Sequence, residues 1–237
     1  SYIDIDTTAV VGGAAGRLVW NDGDGTLDLG LKGGNTTLQI GQELVARVFN
    51  AEATTLTDGT AVYISGSQGN RIAVRRASAT AELGSSNTIG VVTEPILSGQ
   101  EGFVTVVGVV HGLNTIGLTP GALLWLSASA GEYTQTRPEA PYHGVQIGYV
   151  ERVHASAGAI YVKIDNGYEL DELHDVNVAG SSYGDLLVKS GSIWINSKQL
   201  TGSYGITGSL NVTNQIIGTL IGTASWASNA ISSSFAT

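Results

Sequence analysis

The sequence predicts an all-β protein with an N-terminal hairpin arm, an antiparallel β-barrel or sandwich, and a fibrous β-rich segment that intertwines with copies of itself. Three observations lead there. Apolar and polar residues alternate with period two through most of the first 165 residues. Clusters of Gly, Asn and Asp separate those runs at short intervals, and the last stretch of chain carries apolar residues but no charge. Alternation sets one strand face on a core and the other in water, which is the habit of antiparallel sheets.

Residues 1–41 read as the arm. Residues 17–20 pair with 26–31 across Asn21, Asp22, Gly23, Asp24 and Gly25, a hairpin turn where glycine supplies positive φ and Asn or Asp tolerates it. Leu27, Leu29 and Leu31 alternate there with Asp28 and Gly30. Residues 42–165 form the largest segment. Leu44, Ala46 and Val48 alternate with Val45 and Arg47, and Ile72 and Val74 with Arg71 and Arg75. Strands are predicted over 43–50, 60–65, 71–76, 88–93, 102–110, 122–127, 132–136, 145–153 and 158–164. Many short strands without a long amphipathic helix indicate a closed barrel or a sandwich. Residues 104–110 are apolar on both faces, which places that strand centrally or against a partner chain. Residues 166–200 are a connector and a further module, opening on Glu169, Asp171, Glu172 and Asp175.

Residues 201–237 begin the shaft. After Lys198 there is no charged residue and no histidine through Thr237. A Gly/Ser/Thr/Ala/Asn segment alone cannot bury enough apolar surface to offset its ordering entropy, so it orders by wrapping with its copies. A disordered Ser/Gly linker is the alternative. Leu210 and Val212 alternate, and glycines at 202, 205, 208, 218 and 222 suit tight turns, so β wrapping is predicted over 194–221. Ala224, Ala227, Ile231 and Ser234 then follow the three-four spacing of a coiled-coil seam, predicting a short helical or irregular coil. The candidate interface residues are Leu210, Val212, Ile216, Leu220, Ala224, Ala227 and Ile231.

Composition narrows the function. The net charge is −9 and Arg75–Arg76 is the sole adjacent basic pair, so no nucleic-acid partner is expected. Charged residues are 13% of the chain, so its surface relies on hydroxyls or on burial in an assembly. The absence of cysteine removes disulfides, thiolate nucleophiles and cysteine–metal sites. No apolar run reaches 18 residues, so no membrane insertion is expected.

No cofactor, metal or catalytic residue is predicted. Asp22, Asp24 and Asp28 have the D-x-D spacing of calcium loops, but the twelfth loop position is Gly33 where calcium needs a bidentate Glu. The hairpin turn accounts for them. The acids at 169–175 read as a solvated loop, with a cation between subunits as the alternative. A glycosidase needs paired carboxylates along an aromatic-lined groove. Glu52, Asp58, Glu82, Glu94, Glu101, Glu132, Glu139 and Glu151 stand in no such motif, and His111, His143, His154 and His174 lack ligand spacing. Tyr133, Pro138, Pro141, Tyr142 and His143 read as a rigid proline-rich loop, with a receptor contact as the alternative.

Several stretches resemble bacteriophage virion fibre proteins. Residues 20–43, WNDGDGTLDLGLKGGNTTLQIGQE, are similar to a hairpin of phage tail and virion proteins. LHDV at 173–176, GDLL at 184–187 and WIN at 194–196 resemble a tail-fibre module with an L-x-D-V start followed by G-D-x-L and W-x-N. GTASWA at 222–227 and SFA at 234–236 resemble the repeats of fibre shafts. GALLWL at 121–126 and GEYT at 131–134 give the central segment a looser likeness to β-barrels of fibre and capsid-decoration proteins. The resemblance covers less than half the chain. It implies a homotrimeric virion protein, assembled in the host bacterial cytoplasm, that anchors to capsid, collar or tail and extends a tail-fibre or head-fibre shaft toward a host surface receptor. A capsid decoration protein and a polysaccharide-degrading tailspike are the rival readings. The chain has no His-x-His pair, so the axial iron site of some fibre tips is not supported.

Overall fold

The computed structural model describes residues 14–200 and 202–211, together with Ile5. The chain divides into two units, Ser1–Val176 and Asn177–Thr237.

The first unit opens with a three-stranded antiparallel meander of β1 (Leu18–Asn21), β2 (Thr26–Gly30) and β3 (Thr37–Gln39). Its first turn works as its composition suggests. Asn21 Oδ1 accepts hydrogen bonds from the backbone N–H groups of Gly23 and Asp24, while Gly25 takes φ +66° and donates to the Asn21 carbonyl. An Asx turn of this kind ends one strand and starts the next within four residues.

Nine strands then form one sheet: β4 (Leu44–Asn50), β5 (Ala61–Gln68), β6 (Arg71–Arg76), β7 (Thr88–Val92), β8 (Glu101–Leu113), β9 (Leu123–Leu126), β10 (Tyr133–Thr134), β11 (Val145–Arg152) and β12 (Gly158–Asn166). Their order is β10-β9-β11-β12-β8-β4-β6-β5-β7, and β7 pairs back onto β8. Strands β8, β4, β6, β5 and β7 therefore close a barrel, and β12, β11, β9 and β10 extend from the far half of β8. Each of the nine predicted segments overlaps one of these strands, with β5, β8 and β12 running longer than predicted. The one helix of this region, α1 (Glu82–Ser86), is a single turn before β7.

One expectation fails in part: the barrel is not wholly antiparallel. β4 and β6 run parallel, Val48 opposite Ile72 and Asn50 opposite Val74. The hairpin β5–β6 inserts with β6 against β4, so the chain must cross the barrel's end between β4 and β5. Asn50 secures that crossing. Fully buried, it donates from Nδ2 to the carbonyls of Thr54 and Ile96 and accepts from Glu52 N–H at Oδ1.

Two apolar clusters fill the unit. Val48, Leu56, Val62, Val74, Val92, Ile96 and Val104 occupy the barrel. Val110, Leu124, Leu126, Ile147, Ile160 and Val162 lead the second cluster, between the extension and the ends of β5, β6 and β7. Strand closeness sets glycine requirements. A Cβ on Gly90 of β7 would lie 2.1 Å from the Thr105 carbonyl oxygen of β8.

In the second unit β14 (Leu186–Ser190) and β15 (Ile193–Ser197) form a hairpin, with β13 (Val176–Asn177) beside β15. Leu210 is exposed. Val212, Ile216 and Leu220 of the predicted β wrapping, and the coiled-coil seam of Ala224, Ala227, Ile231 and Ser234, lie outside the described residues, as does most of the arm before residue 14.

Gly90→Ala tests barrel closure. The added methyl meets backbone, which cannot rotate away, so overpacking should cost roughly 3 kcal/mol. A clear fall in melting temperature is the expected result; unchanged melting would mean β7 and β8 do not meet this closely.

Candidate functional site

Two places in the first unit gather polar chemistry. The first is the joint between the meander and the barrel, a cavity of about 310 Å³ whose lining includes Asp28, Thr36, Glu43, Asp58, Thr105 and His111. Glu43 opens β4's approach and clasps the meander. Its Oε2 accepts from the Gln39 N–H at 3.1 Å, and its backbone N–H donates to the Gln39 carbonyl. Its side chain lies over β8 at Gly108, where a Cβ would come within 2.7 Å of Glu43 Cγ. Glycine leaves the space that Glu43 fills.

The hairpin carboxylates belong to the same network. Asp24 Oδ2 accepts from Asn21 Nδ2 at 2.7 Å and Gln39 Nε2 at 2.6 Å, and Asp28 Oδ2 accepts from Asn21 Nδ2 at 3.0 Å. Asp22 Oδ1 accepts from the Trp20 indole. The Trp20 indole and the amide donors of Asn21 and Gln39 thus hold the D-x-D cluster in its turn. Among the described residues no three His, Asp or Glu side chains are grouped so as to hold a metal ion. Around the cavity acceptors outnumber donors. Asp28 Oδ1, Thr36 Oγ1 and Asp58 Oδ1 are buried and bonded to no other protein group. Burial pushes the Glu43 carboxyl up to about 7, against the pull of backbone N–H groups at Gln39 and Val109, with Asp28 and Asp24 adding repulsion. Burial, with Glu94 nearby, pushes Asp58 up to about 6.

The second place is a cleft of about 520 Å³ between the loop at 137–144 and Gly167–Glu169, lined in part by Arg137, Glu139, Pro141, Tyr142, Tyr168 and Glu169. His143 fixes the loop. Its N–H donates to the Ala79 carbonyl, and Nδ1 lies 3.2 Å from Glu82 and 3.0 Å from Glu169. The Arg137 guanidinium sits 5.2 Å from the centre of the Trp125 ring. Four of the five residues grouped here from sequence meet around this loop. Tyr133 does not: it is half-buried in β10, facing Gly59 and Leu113 in another hollow. Glu169 and Glu172 of the acidic connector serve structure, since Glu172 caps the 3-10 turn Leu170–Glu172 through the Glu169 N–H.

The second unit explains part of the module pattern. Asp185 of GDLL accepts from Asn196 Nδ2 of WIN at 3.0 Å and from the Ser182 N–H, and those bonds hold its carboxyl below the usual range. Lys189 lies over the Trp194 ring on the paired strand. No protein-family model matches the chain, and no curated protein is significantly similar to it.

Glu43, Arg137 and Tyr168 went unnoticed in sequence. Glu43 carried a faint signal, a lone acid at the head of an apolar alternation. Arg137 and Tyr168 meet only because β11 and β12 pair, bringing Val145 opposite Asn166.

The joint should respond to pH. Both acids have folded values above their unfolded ones, about 4.3 for Glu and 3.9 for Asp. Their stabilising contribution is complete below those values. It is lost as pH rises through about 6 for Asp58 and about 7 for Glu43. The protein should melt higher at pH 5.5 than at pH 8, and Glu43→Gln should flatten that slope. Equal slopes for variant and parent would show that Glu43 does not titrate in this range.

Proposed function

We propose that the chain is a structural subunit of a bacteriophage virion, a homotrimeric tail or head fibre. Its N-terminal arm would anchor to capsid, collar or tail, and its C-terminal shaft would extend toward a host surface receptor. One observation carries the assembly part. In the second unit, hairpin β14–β15 has Leu186, Val188, Ile193 and Ile195 on one face and Leu187 and Trp194 on the other. In the single chain Leu186, Leu187, Ile193 and Trp194 are exposed, and no residue beyond Val162 belongs to the buried apolar core among the described residues. A small sheet of strands this short needs a covered hydrophobic face for independent stability, and contiguous exposed apolar surface marks a protein interface. The charge-free sequence after Lys198 favours the same reading, since copies can pack side by side without like-charge repulsion. The fibre assignment rests on the residue motifs, and the trimer on what they imply.

A capsid decoration protein is the second reading. The first unit favours it, because that unit closes its own core and could sit on a lattice unaided.

Sedimentation equilibrium of the full chain should give three times the chain mass of 24.4 kDa. Leu186→Asp, at a side chain already 44% exposed in the single chain, should spare the subunit but weaken association by roughly 2 kcal/mol per chain. A monomeric parent protein would defeat the fibre reading and leave the decoration one.

A further inference from the structure

We propose that the cleft between the 137–144 loop and Tyr168 binds an uncharged oligosaccharide. The ligand class follows from the cleft itself, and only the bacterial source of the glycans rests on the virion reading. The cleft lies wholly in the first unit.

The lining sets the ligand class. Tyr142 is 46% exposed and Tyr168 is 82% exposed, so two aromatic side chains that could have served a core are left in water beside a concavity. Tyrosine offers a rigid apolar face with a polar end at little entropic cost. The C–H face of a pyranose ring suits such a surface. Sugar hydroxyls donate and accept, and the cleft holds both counterparts, with Glu139 and Glu169 as acceptors and Arg137 as donor. Binding pockets commonly combine apolar contact with a few fixed polar groups in this way, in volumes of about 300–1,000 Å³.

Charge excludes the neighbouring classes. Two carboxylates face one guanidinium, so a phosphate backbone or an acidic polysaccharide would meet net repulsion. The apolar lining is limited to prolines, one alanine and the tyrosine rings, too little to enclose a hydrophobic ligand.

The polar groups are also held in place. Glu169 Oε1 lies 3.0 Å from His143 Nδ1, and His143 is tied in turn to Ala79 and Glu82. Arg137 rests on Trp125, and the Tyr142 N–H donates to the Glu139 carbonyl. A site built in advance loses less freedom on binding, which matters for a ligand whose individual contacts are weak.

The test is an array of purified neutral and acidic bacterial polysaccharides probed with the full-length protein. Titration calorimetry follows with an oligosaccharide cut from whichever polysaccharide is retained. Retention of neutral glycans is expected, with affinity falling at least tenfold in Tyr168→Ala and in Arg137→Gln. Tyr168 is so exposed that its loss should leave melting and sedimentation unchanged, which separates a failed site from a failed fold or assembly. Three outcomes overturn the proposal: no polysaccharide retained, a preference for acidic ones, or binding that survives both substitutions.

Discussion

Strand β8 bonds to β4 and β7 along its first half and to β12 along its second, so thirteen residues serve both the closed barrel and its extension. Val104 pairs with Ala46 on one side and Val92 on the other, and points into the barrel cluster. Six residues on, Val110 pairs with Ile160 and points into the second cluster. The shared strand therefore couples the two cores. Its outer side is also in use: the Val109 N–H faces the Glu43 carboxylate and pulls its pKa down, and Gly108 makes room for that side chain. Meander, barrel and extension all meet along one line of backbone.

That geometry explains what could be read in advance. The apolar character of 104–110 on both faces pointed to a central strand or one against a partner chain, and β8 lies centrally, between β12 and β4. Alternation found the other strands of the nine-stranded sheet because they set one face on a core, as Val48, Val62 and Val74 do. The parallel pairing of β4 with β6 left no such trace. Alternation reports which face is buried and says nothing of strand direction, and the deciding contacts are loop contacts made by Asn50. The hairpin turn was legible because Asn21 acts on residues two and three positions away.

The sites were less legible for a related reason. Short-range chemistry shows in a sequence, whereas the cleft joins Arg137 to Tyr168 and the joint joins Asp28 and Glu43 to Asp58, across turns and strand pairings. The pairing of Asp185 with Asn196 stands between these cases. Both residues sit in the quoted motifs, yet their bond follows only from the β14–β15 register, with Leu187 opposite Asn196. A motif spaced along a hairpin can be one hydrogen bond written twice.

Charge divides the chain as burial does. All 20 acidic and 11 basic residues precede residue 199, leaving the end of the chain neutral. The first unit encloses a buried apolar core while leaving residues such as Leu44, Leu97 and Ile116 exposed, whereas the described residues of the second contribute none to a buried core. On the trimer reading these facts form one design. The first unit holds 19 of the 20 acidic residues against 9 of the 11 basic ones, so its copies repel one another and resist side-by-side association. The second unit carries only Asp185, Lys189 and Lys198, so it faces little such barrier, and its exposed Leu186, Leu187, Ile193 and Trp194 gain from burial. On that reading attraction is concentrated in the second unit and repulsion in the first. This arrangement selects a defined oligomer over a disordered aggregate, because specificity needs a penalty on wrong contacts as well as a gain from right ones.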